Sequence, residues 1–286
     1  MSEKDWQILI TLHEEGTITK AARKMYMSQP ALTYRIQQLE ERFNCKIILR
    51  SNKGTLFTTS GEYLVQYAKK MQKELIKVQN TLENLNNNIQ GILQIGVSDI
   101  FALYKLPSLL EGFVAKYPNV SIKLTTAWST EILRLIQNED IHIAISRGEH
   151  QWQGDKILLD QETICIASRH PIQLDELPNM NLITYKTDSQ ILTMFNDWWK
   201  DNYSMPPHSF MQVDGMMTCK GLVKKGLGYG FFPKICIEES DQLYTTDLTK
   251  NGIPLIRDTW LLYRKELKEL NVFHAFIEYV KDYYKQ

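Results

Sequence analysis

From Leu64 to Ile89 the chain repeats apolar or small residues at Leu64, Ala68, Met71, Leu75, Val78, Leu82, Leu85 and Ile89, at spacings that alternate four and three. Only Gly61 near the start of the run disfavours a helix, and the other faces of "KKMQKELIKVQNTLENLNNN" are polar. A straight α-helix drifts against a 3.5-residue period. A repeat held for roughly three and a half heptads therefore predicts a left-handed seam with a helix of another copy rather than packing on its own domain. Residues 60–90 are expected to form this linker and dimerisation helix. It divides the chain into a small unit, 1–59, and a larger one, 91–286, ample for an interior of its own.

The formal charge of zero conceals an asymmetry across that division. Residues 1–90 hold 13 Lys and Arg against 9 Asp and Glu, and the remainder holds 20 against 24. Within 18–53 the bases Lys20, Arg23, Lys24, Arg35, Arg42, Lys46, Arg50 and Lys53 face only Glu40 and Glu41. Such an excess is either a solvated basic face or the footprint of a polyanion.

Local patterns in that region narrow the choice. Trp6, Leu9, Ile10 and His13 recur at helical spacing, and Gly16 supplies a left-handed stop. Thr19 can cap a second helix whose Ala21, Ala22 and Met25 permit close approach to a neighbour. Ser28 caps a third, Pro30 falls in its first turn, and Leu32, Ile36, Leu39 and Phe43 form its apolar stripe. Its other face shows Pro30, Thr33, Tyr34, Gln37 and Gln38. Two helices joined by a tight turn, the second presenting uncharged hydrogen-bonding groups near its amino end, are a helix-turn-helix suited to the major groove. The run "CKIILRSNKGTLFTTSG" then reads as a hairpin wing with Arg50 and Lys53 near its tip. Gln29, Pro30, Thr33 and Tyr34 are expected on bases, Arg23, Arg35, Arg50 and Lys53 on phosphate.

The segment "ITKAARKMYMSQPALTYRIQQLEERFNCKIILRSNKGTLFTTSGEYLV" resembles the amino-terminal module of LysR-type transcriptional regulators. The likeness rests on Ala21, Ala22, Ser28, Gln29, Pro30, Ala31, Leu32, Ile36, Leu39, Glu40, Phe43, Arg50, Thr58, Thr59 and Gly61, in family order and spacing. Where that family usually carries Arg, Gln or Lys, this chain has Tyr34. The resemblance implies a regulator of promoter DNA with a dyad site, assembled as a dimer and further as a tetramer.

Beyond Gly91 the apolar runs "ILQIGV", "VSIKLTTA", "IHIAIS", "TICIAS", "NLITY", "SFMQV", "GYGFF" and "TWLLYRK" alternate with helical segments near 104–117, 130–138, 189–203, 215–226 and 267–285. That is an α/β pattern of a size for two lobes around a cleft. Chain crossings are expected near Ile166 and Arg264, giving lobe I about 91–165 and 265–286 and lobe II about 166–264. The expected fold is therefore an α+β multidomain chain: winged helix-turn-helix, linker helix, and a two-lobed α/β effector domain like a periplasmic binding protein, as the LysR resemblance also implies.

Ligands of α/β folds gather at strand ends. There Ser98 and Asp99, and Ser129 and Thr130, either cap the next helix or offer its free N–H groups to an anion. Arg147 and Arg257 are each either a guanidinium fork for a carboxylate or a surface ion pair, with Glu149 or Asp258 as partner. The segments "GVSDIF", "YPNV", "STEIL", "AISRGE", "DGMMTCKGLVKKGLGYGFFP" and "PLIRDT" are similar to the citrate-responsive catabolite-control branch of LysR regulators in Gram-positive bacteria. By that likeness Ser98, Ile100, Ser129, Thr130, Arg147 and Arg257 would hold a tricarboxylate. An amino-acid or sulfur metabolite, or an aromatic acid, is the alternative effector.

An enzyme with an accessory helix-turn-helix is the rival class, and little supports it. "GLGYG", residues 226–230, ends a helix and enters a strand, the reverse of a dinucleotide fingerprint. The six histidines form no i, i+4 metal pair, and no nucleophile elbow is present. Cys45, Cys165, Cys219 and Cys236 show no metal or disulfide spacing. No enzyme activity, cofactor, metal or membrane span is expected. With no signal-peptide pattern at the amino terminus, the expected location is cytoplasmic.

Overall fold

The computed structural model describes residues 1–51, 54–84 and 89–285. Expectations placed on Lys53 and Leu85, and on the side chains of Arg50 and Leu82, lie outside the described residues. The chain divides into two compact units, Met1–Leu85 and Asn86–Gln286.

In the first unit, α1 (Glu3–Glu15), α2 (Ile18–Lys24) and α3 (Gln29–Phe43) precede a hairpin of β1 (Ile48–Ser51) and β2 (Gly54–Phe57), and α4 (Thr59–Asn84) follows. Ser2 and Asp5 close a capping box on α1, and Gly16 ends it at φ 66°. The buried face of α1 is Asp5, Ile8, Leu9 and Leu12 rather than the stripe through Trp6, Ile10 and His13. The helix is turned because Asp5 is welcome inside: Arg35 reaches it from α3. His13 instead meets Phe57 edge-on and lies 3.2 Å from Glu62.

The cap of α2 is Thr17, which accepts the Lys20 amide at 3.3 Å, and not Thr19. Starting two residues earlier puts Ile18 into the core with Ala21 and Ala22. Ser28 does cap α3, accepting from the Ala31 amide at 3.3 Å. Leu32, Ile36 and Leu39 are buried, whereas Phe43 stays 41% exposed where Asn44 turns the chain at φ 47°.

The helix α4 has two characters. Leu64, Val65 and Ala68 lie in the first unit's own core, packed with Ile8, Leu9 and Leu12 of α1. This corrects the expectation that Leu64 and Ala68 begin the intermolecular seam: α1 needs an apolar cover, and the small Ala68 lets α4 come close enough to supply it. Further along, Met71 and Leu75 are half-buried and Val78 is exposed.

The second unit begins with β3 (Gly91–Ser98), α5 (Asp99–Tyr104), α6 (Leu106–Lys116), β4 (Val120–Ala127), α7 (Ser129–Gln137), β5 (Ile143–Arg147) and β6 (Asp155–Ser168). It continues with β7 (Leu182–Tyr185), α8 (Ser189–Asn202), β8 (Ser209–Val213), α9 (Met216–Lys224), β9 (Gly230–Pro233), β10 (Tyr244–Asp247) and the short pair β11 (Thr249–Lys250) and β12 (Ile253–Pro254). It ends with β13 (Ile256–Tyr263) and α10 (Asn271–Tyr283). The helix expected over 104–117 is two helices broken at Lys105, the first starting at Asp99.

The sheet order is β10-β6-β13-β5-β3-β4, with β9 also on β6. The 14-residue β6 serves both lobes. Asp155–Thr163 pairs with β13, and Ile164–Ser168 pairs with β9 and β10. The chain thus enters lobe II after Thr163. It returns before Arg257, not near Arg264, because the whole of Thr259–Tyr263 pairs with β5 in lobe I. One apolar core joins Leu93, Ile95 and Val97 to Leu261, Phe273 and Phe276 in lobe I, and Trp198, Trp199 and Phe231 centre another in lobe II. Gly226, at φ 77°, takes the chain out of α9 toward β9, so "GLGYG" is a helix stop. No described helix is long and apolar enough to cross a membrane.

Candidate functional site

The amino end of α3 forms the outer surface of the first unit. Ser28, Gln29, Pro30 and Tyr34 are exposed, Thr33 is half-buried, and Arg23 on α2 is exposed nearby in sequence. Gln29 is steadied by Thr19, whose hydroxyl donates to Oε1 at 3.4 Å. Arg35 behaves differently from the expectation of a phosphate contact. Its Nε donates to Asp5 at 2.6 Å and its Nη1 to Gln38 at 2.9 Å, so the guanidinium is engaged within the protein although the side chain stays partly exposed.

The wing is fixed to this reading helix by Glu40. Its Oε1 accepts the Ile47 and Ile48 amides at 2.9 and 3.3 Å, and its Oε2 accepts Lys46 Nζ at 2.7 Å. Burial alone would raise the carboxyl's pKa. The Lys46 ammonium and the two amides outweigh it and hold Glu40 below the ordinary carboxylate range. Thr58 completes the joint by donating to Lys46 O at 2.5 Å and accepting the Gly61 amide at 3.0 Å.

In the second unit the carboxyl ends of β3, β5 and β7 and the starts of α7, α8 and α9 surround a cavity of about 280 Å³ between the lobes. Ser98, Ile100, Ser129, Arg147 and Arg257 line it. Thr130 is exposed and does not. The serines do not cap helices through their side chains. Ser98 Oγ is buried with no hydrogen-bond partner among the described residues. Ser129 Oγ accepts the Arg147 amide at 3.3 Å, and Trp128 takes the cap position of α7.

Both arginines are almost wholly buried, at 1% and 3% exposure, so neither is a surface residue. Their partners are not Glu149 and Asp258. Arg147 pairs with Glu162 on β6. Arg257 donates through Nη2 to Asp188 Oδ2 at 2.5 Å and to Arg147 O at 3.2 Å. Burial and the neighbouring Arg257 guanidinium pull Arg147 down to about 9, which still leaves it protonated at neutral pH. The cavity wall therefore carries three cations, Arg147, Lys186 and Arg257, against three carboxylates, Asp99, Asp188 and Asp214.

Five contributors escaped sequence reasoning. Asp188 is legible as a helix cap, since its Oδ1 accepts the Ile191 amide at 3.1 Å, but its pairing with a residue 69 positions away is not. Glu162 lies in the charged first half of β6, whose alternation hid a strand. Trp128, Tyr185 and Met217 add an apolar wall that no local pattern marks as a lining.

Residues 4–62 match the family model described as bacterial regulatory helix-turn-helix protein, lysR family, and residues 86–285 match that of the LysR substrate binding domain. The HTH-type transcriptional regulator YraN of Bacillus subtilis is 43% identical, with 98% of each chain covered. YkuM of the same organism is 34% identical, with 99% of this chain and 97% of that one covered. Among solved structures, full-length CbnR complexed with its target DNA superposes over 100% of both chains with a TM-score of 0.70 at 18% identity. The Vibrio cholerae virulence activator AphB does so over 99% of this chain and 100% of its own, with a TM-score of 0.62 at 16% identity. These two likenesses concern the fold, and the relatives are regulators, not enzymes. Because the two family models meet the reading head and the cleft in the order in which the fold presents them, this chain belongs to the LysR family of bacterial helix-turn-helix transcriptional regulators.

Proposed function

We propose that this regulator reads a dyad promoter site as a dimer and that a small carboxylate in the interlobe cleft, citrate being the first to test, changes its promoter occupancy. The observation that carries the effector reading is the buried Ser98 hydroxyl without a partner among the described residues, beside two buried guanidinium groups in one cavity. A hydroxyl left unpaired inside a protein costs about 1–3 kcal/mol, so a ligand that accepts from it recovers that cost. The amino termini of α7 and α9 at the same cavity add N–H groups that favour an anion. A second reading, an amino acid or aromatic acid, is favoured by Asp99 and the Trp128 and Tyr185 rings in the wall, which would suit an ammonium and an apolar body.

Differential scanning of the full chain tests the carboxylate reading. At 100 times its dissociation constant the effector should add about 2.7 kcal/mol. Stabilisation by citrate, succinate or glutamate but not by neutral sugars is expected. Stabilisation by an uncharged ligand alone would overturn the carboxylate reading.

The DNA reading rests on exposed Gln29, Pro30 and Tyr34 beside half-buried Thr33, and the dimer reading on Met71, Leu75 and Val78 of α4. CbnR, whose fold this chain shares, is a regulator solved on its target DNA. Gln29→Ala should cost about 1–3 kcal/mol on the cognate site and relax discrimination. Arg23→Ala should weaken all sequences alike and lower the salt slope by about one. Titrations of both variants at several salt concentrations check this, and an inverted pattern would reject the docking.

A further inference from the structure

Arg257 is committed before any ligand arrives. A guanidinium offers a carboxylate two forks, one made by Nε and Nη2 and one by Nη1 and Nη2. Both need Nη2. In this protein the two hydrogens of Nη2 go to Asp188 Oδ2 at 2.5 Å and to the Arg147 carbonyl at 3.2 Å. Arg257 Nε, buried in turn, has no hydrogen-bond partner among the described residues. The Nε prong of the side fork is therefore open, while Nη2 is shared between an internal carboxylate and a backbone carbonyl.

Asp188 keeps a partner if it lets go. Its other oxygen, Oδ1, already accepts the Ile191 amide at 3.1 Å, at the amino end of the 14-residue α8. The helix dipole favours a negative charge there with or without Arg257. Both side chains are largely buried, Arg257 at 2% and Asp188 at 10% exposure, and Arg257 must be given another acceptor if Asp188 leaves.

We propose that Asp188 is a built-in competitor for the effector: an incoming carboxylate takes the Nε–Nη2 fork of Arg257, and Asp188 withdraws onto its cap. The inference rests on the carboxylate reading of the cleft and specifies how that site is regulated. The exchange unties α8, an element of lobe II, from β13, the strand on which the chain returns to lobe I. One further tie from α8 to lobe I remains, Gln190 Nε2 donating to Glu149 O at 2.7 Å. Effector binding would thereby loosen one of two neighbouring ties between the lobes and leave the other, beside it, in place. Asp188 also sets a threshold, since only a ligand that outcompetes a resident carboxylate gains Arg257.

The test is calorimetry with citrate, succinate and glutamate on the full chain and on Asp188→Asn, with Asp188→Ser as a second variant that keeps a cap-forming side chain should the first fail to fold. Removing the competing charge should tighten binding of at least one of these carboxylates tenfold or more. Asp214→Asn deletes the same charge from the exposed pair with Lys186, and should gain threefold at most because that pair is screened by solvent. Wild-type binding with no gain in either Asp188 variant, or an equal gain in Asp214→Asn, overturns the competitor and leaves the carboxylate reading standing. Binding by the Asp188 variants where the wild type shows none supports both. No carboxylate binding by any form overturns both.

Discussion

Arg35 Nε and Asp5 Oδ1 lie 2.6 Å apart and join the reading helix α3 to the first helix of the chain. Asp5 is 1% exposed, and Arg35 is its one cationic partner among the described residues. Burial raises the Asp5 pKa, but the Arg35 and Ser2 bonds more than offset this and hold it below the ordinary value.

Arg35→Ala would leave that carboxylate buried and half-satisfied. The expected loss is about 1–3 kcal/mol, below the 3–5 typical of fully buried pairs because Arg35 itself is partly open to water. Since the native Asp5 pKa is depressed, the stabilisation is present above the unfolded-state value near pH 4 and is lost as pH falls through the native one. Thermal unfolding of wild type and variant should converge on acidification. The salt slope of DNA binding should not change by the full unit expected of a phosphate contact, and a change of that size would return Arg35 to the phosphate set.

The two characters of α4 predict two kinds of failure. Ala68→Glu buries a carboxylate against Ile8, Leu9 and Leu12 and should unfold the first unit. Leu75→Glu, on the half-buried stretch beyond, should leave that unit folded and yield monomers that no longer bind the dyad. Circular dichroism and analytical ultracentrifugation distinguish the outcomes, and a dimeric Leu75→Glu protein would exclude the seam.

Ser98 and Ser129 separate ligand from scaffold. Ser98→Ala removes a hydroxyl without partners among the described residues, so stability should hold or rise slightly while carboxylate affinity falls by about 1 kcal/mol. Ser129→Ala also removes the acceptor of the Arg147 amide and should cost about 1 kcal/mol of stability as well. Paired melting and calorimetry measurements check the contrast, and equal stability losses would refute it.

Asp241 gives lobe II an acid limit. Burial pushes its carboxyl up, but Lys224, the Glu238 amide and Lys220 bring it down to about 2 from 3.8. A depressed carboxylate contributes stability above its unfolded value and loses it on acidification, so about 2 kcal/mol should vanish between pH 4 and pH 2. Asp241→Asn should flatten that portion of the curve. Urea midpoints measured across the interval decide it, and an unchanged slope would show that the Lys220 and Lys224 contacts contribute nothing there.

Local chemistry made much of this legible. Ser28 announces α3, Gly16 and Gly226 announce helix ends, and alternating apolar runs announce β3, β4 and β5. Errors arose where a distant residue changed the rules. Asp5 turned α1 because Arg35 neutralises it, and Leu64 and Ala68 obeyed a heptad but met α1. At the cleft, strand-end position pointed to Ser98, Ser129, Arg147 and Arg257, yet the pairing of Arg147 with Glu162 and of Arg257 with Asp188 joins separate elements and carries no local mark.

The interleaving of β6 and β13 has a consequence for how the molecule is made. Lobe II is a continuous stretch, complete once about Leu255 has been synthesised, whereas lobe I waits for β13 and α10. Those last elements supply Leu261, Tyr263, Phe273, Phe276 and Val280 to an interior begun at Leu93. During synthesis at about 5–20 residues per second, the first half of lobe I must remain open-sided while the whole of lobe II is produced. A premature stop after Leu255 would therefore remove the middle of the sheet rather than its fringe, since β13 lies between β5 and β6. The nascent β3–β5 segment is where a chaperone would be needed.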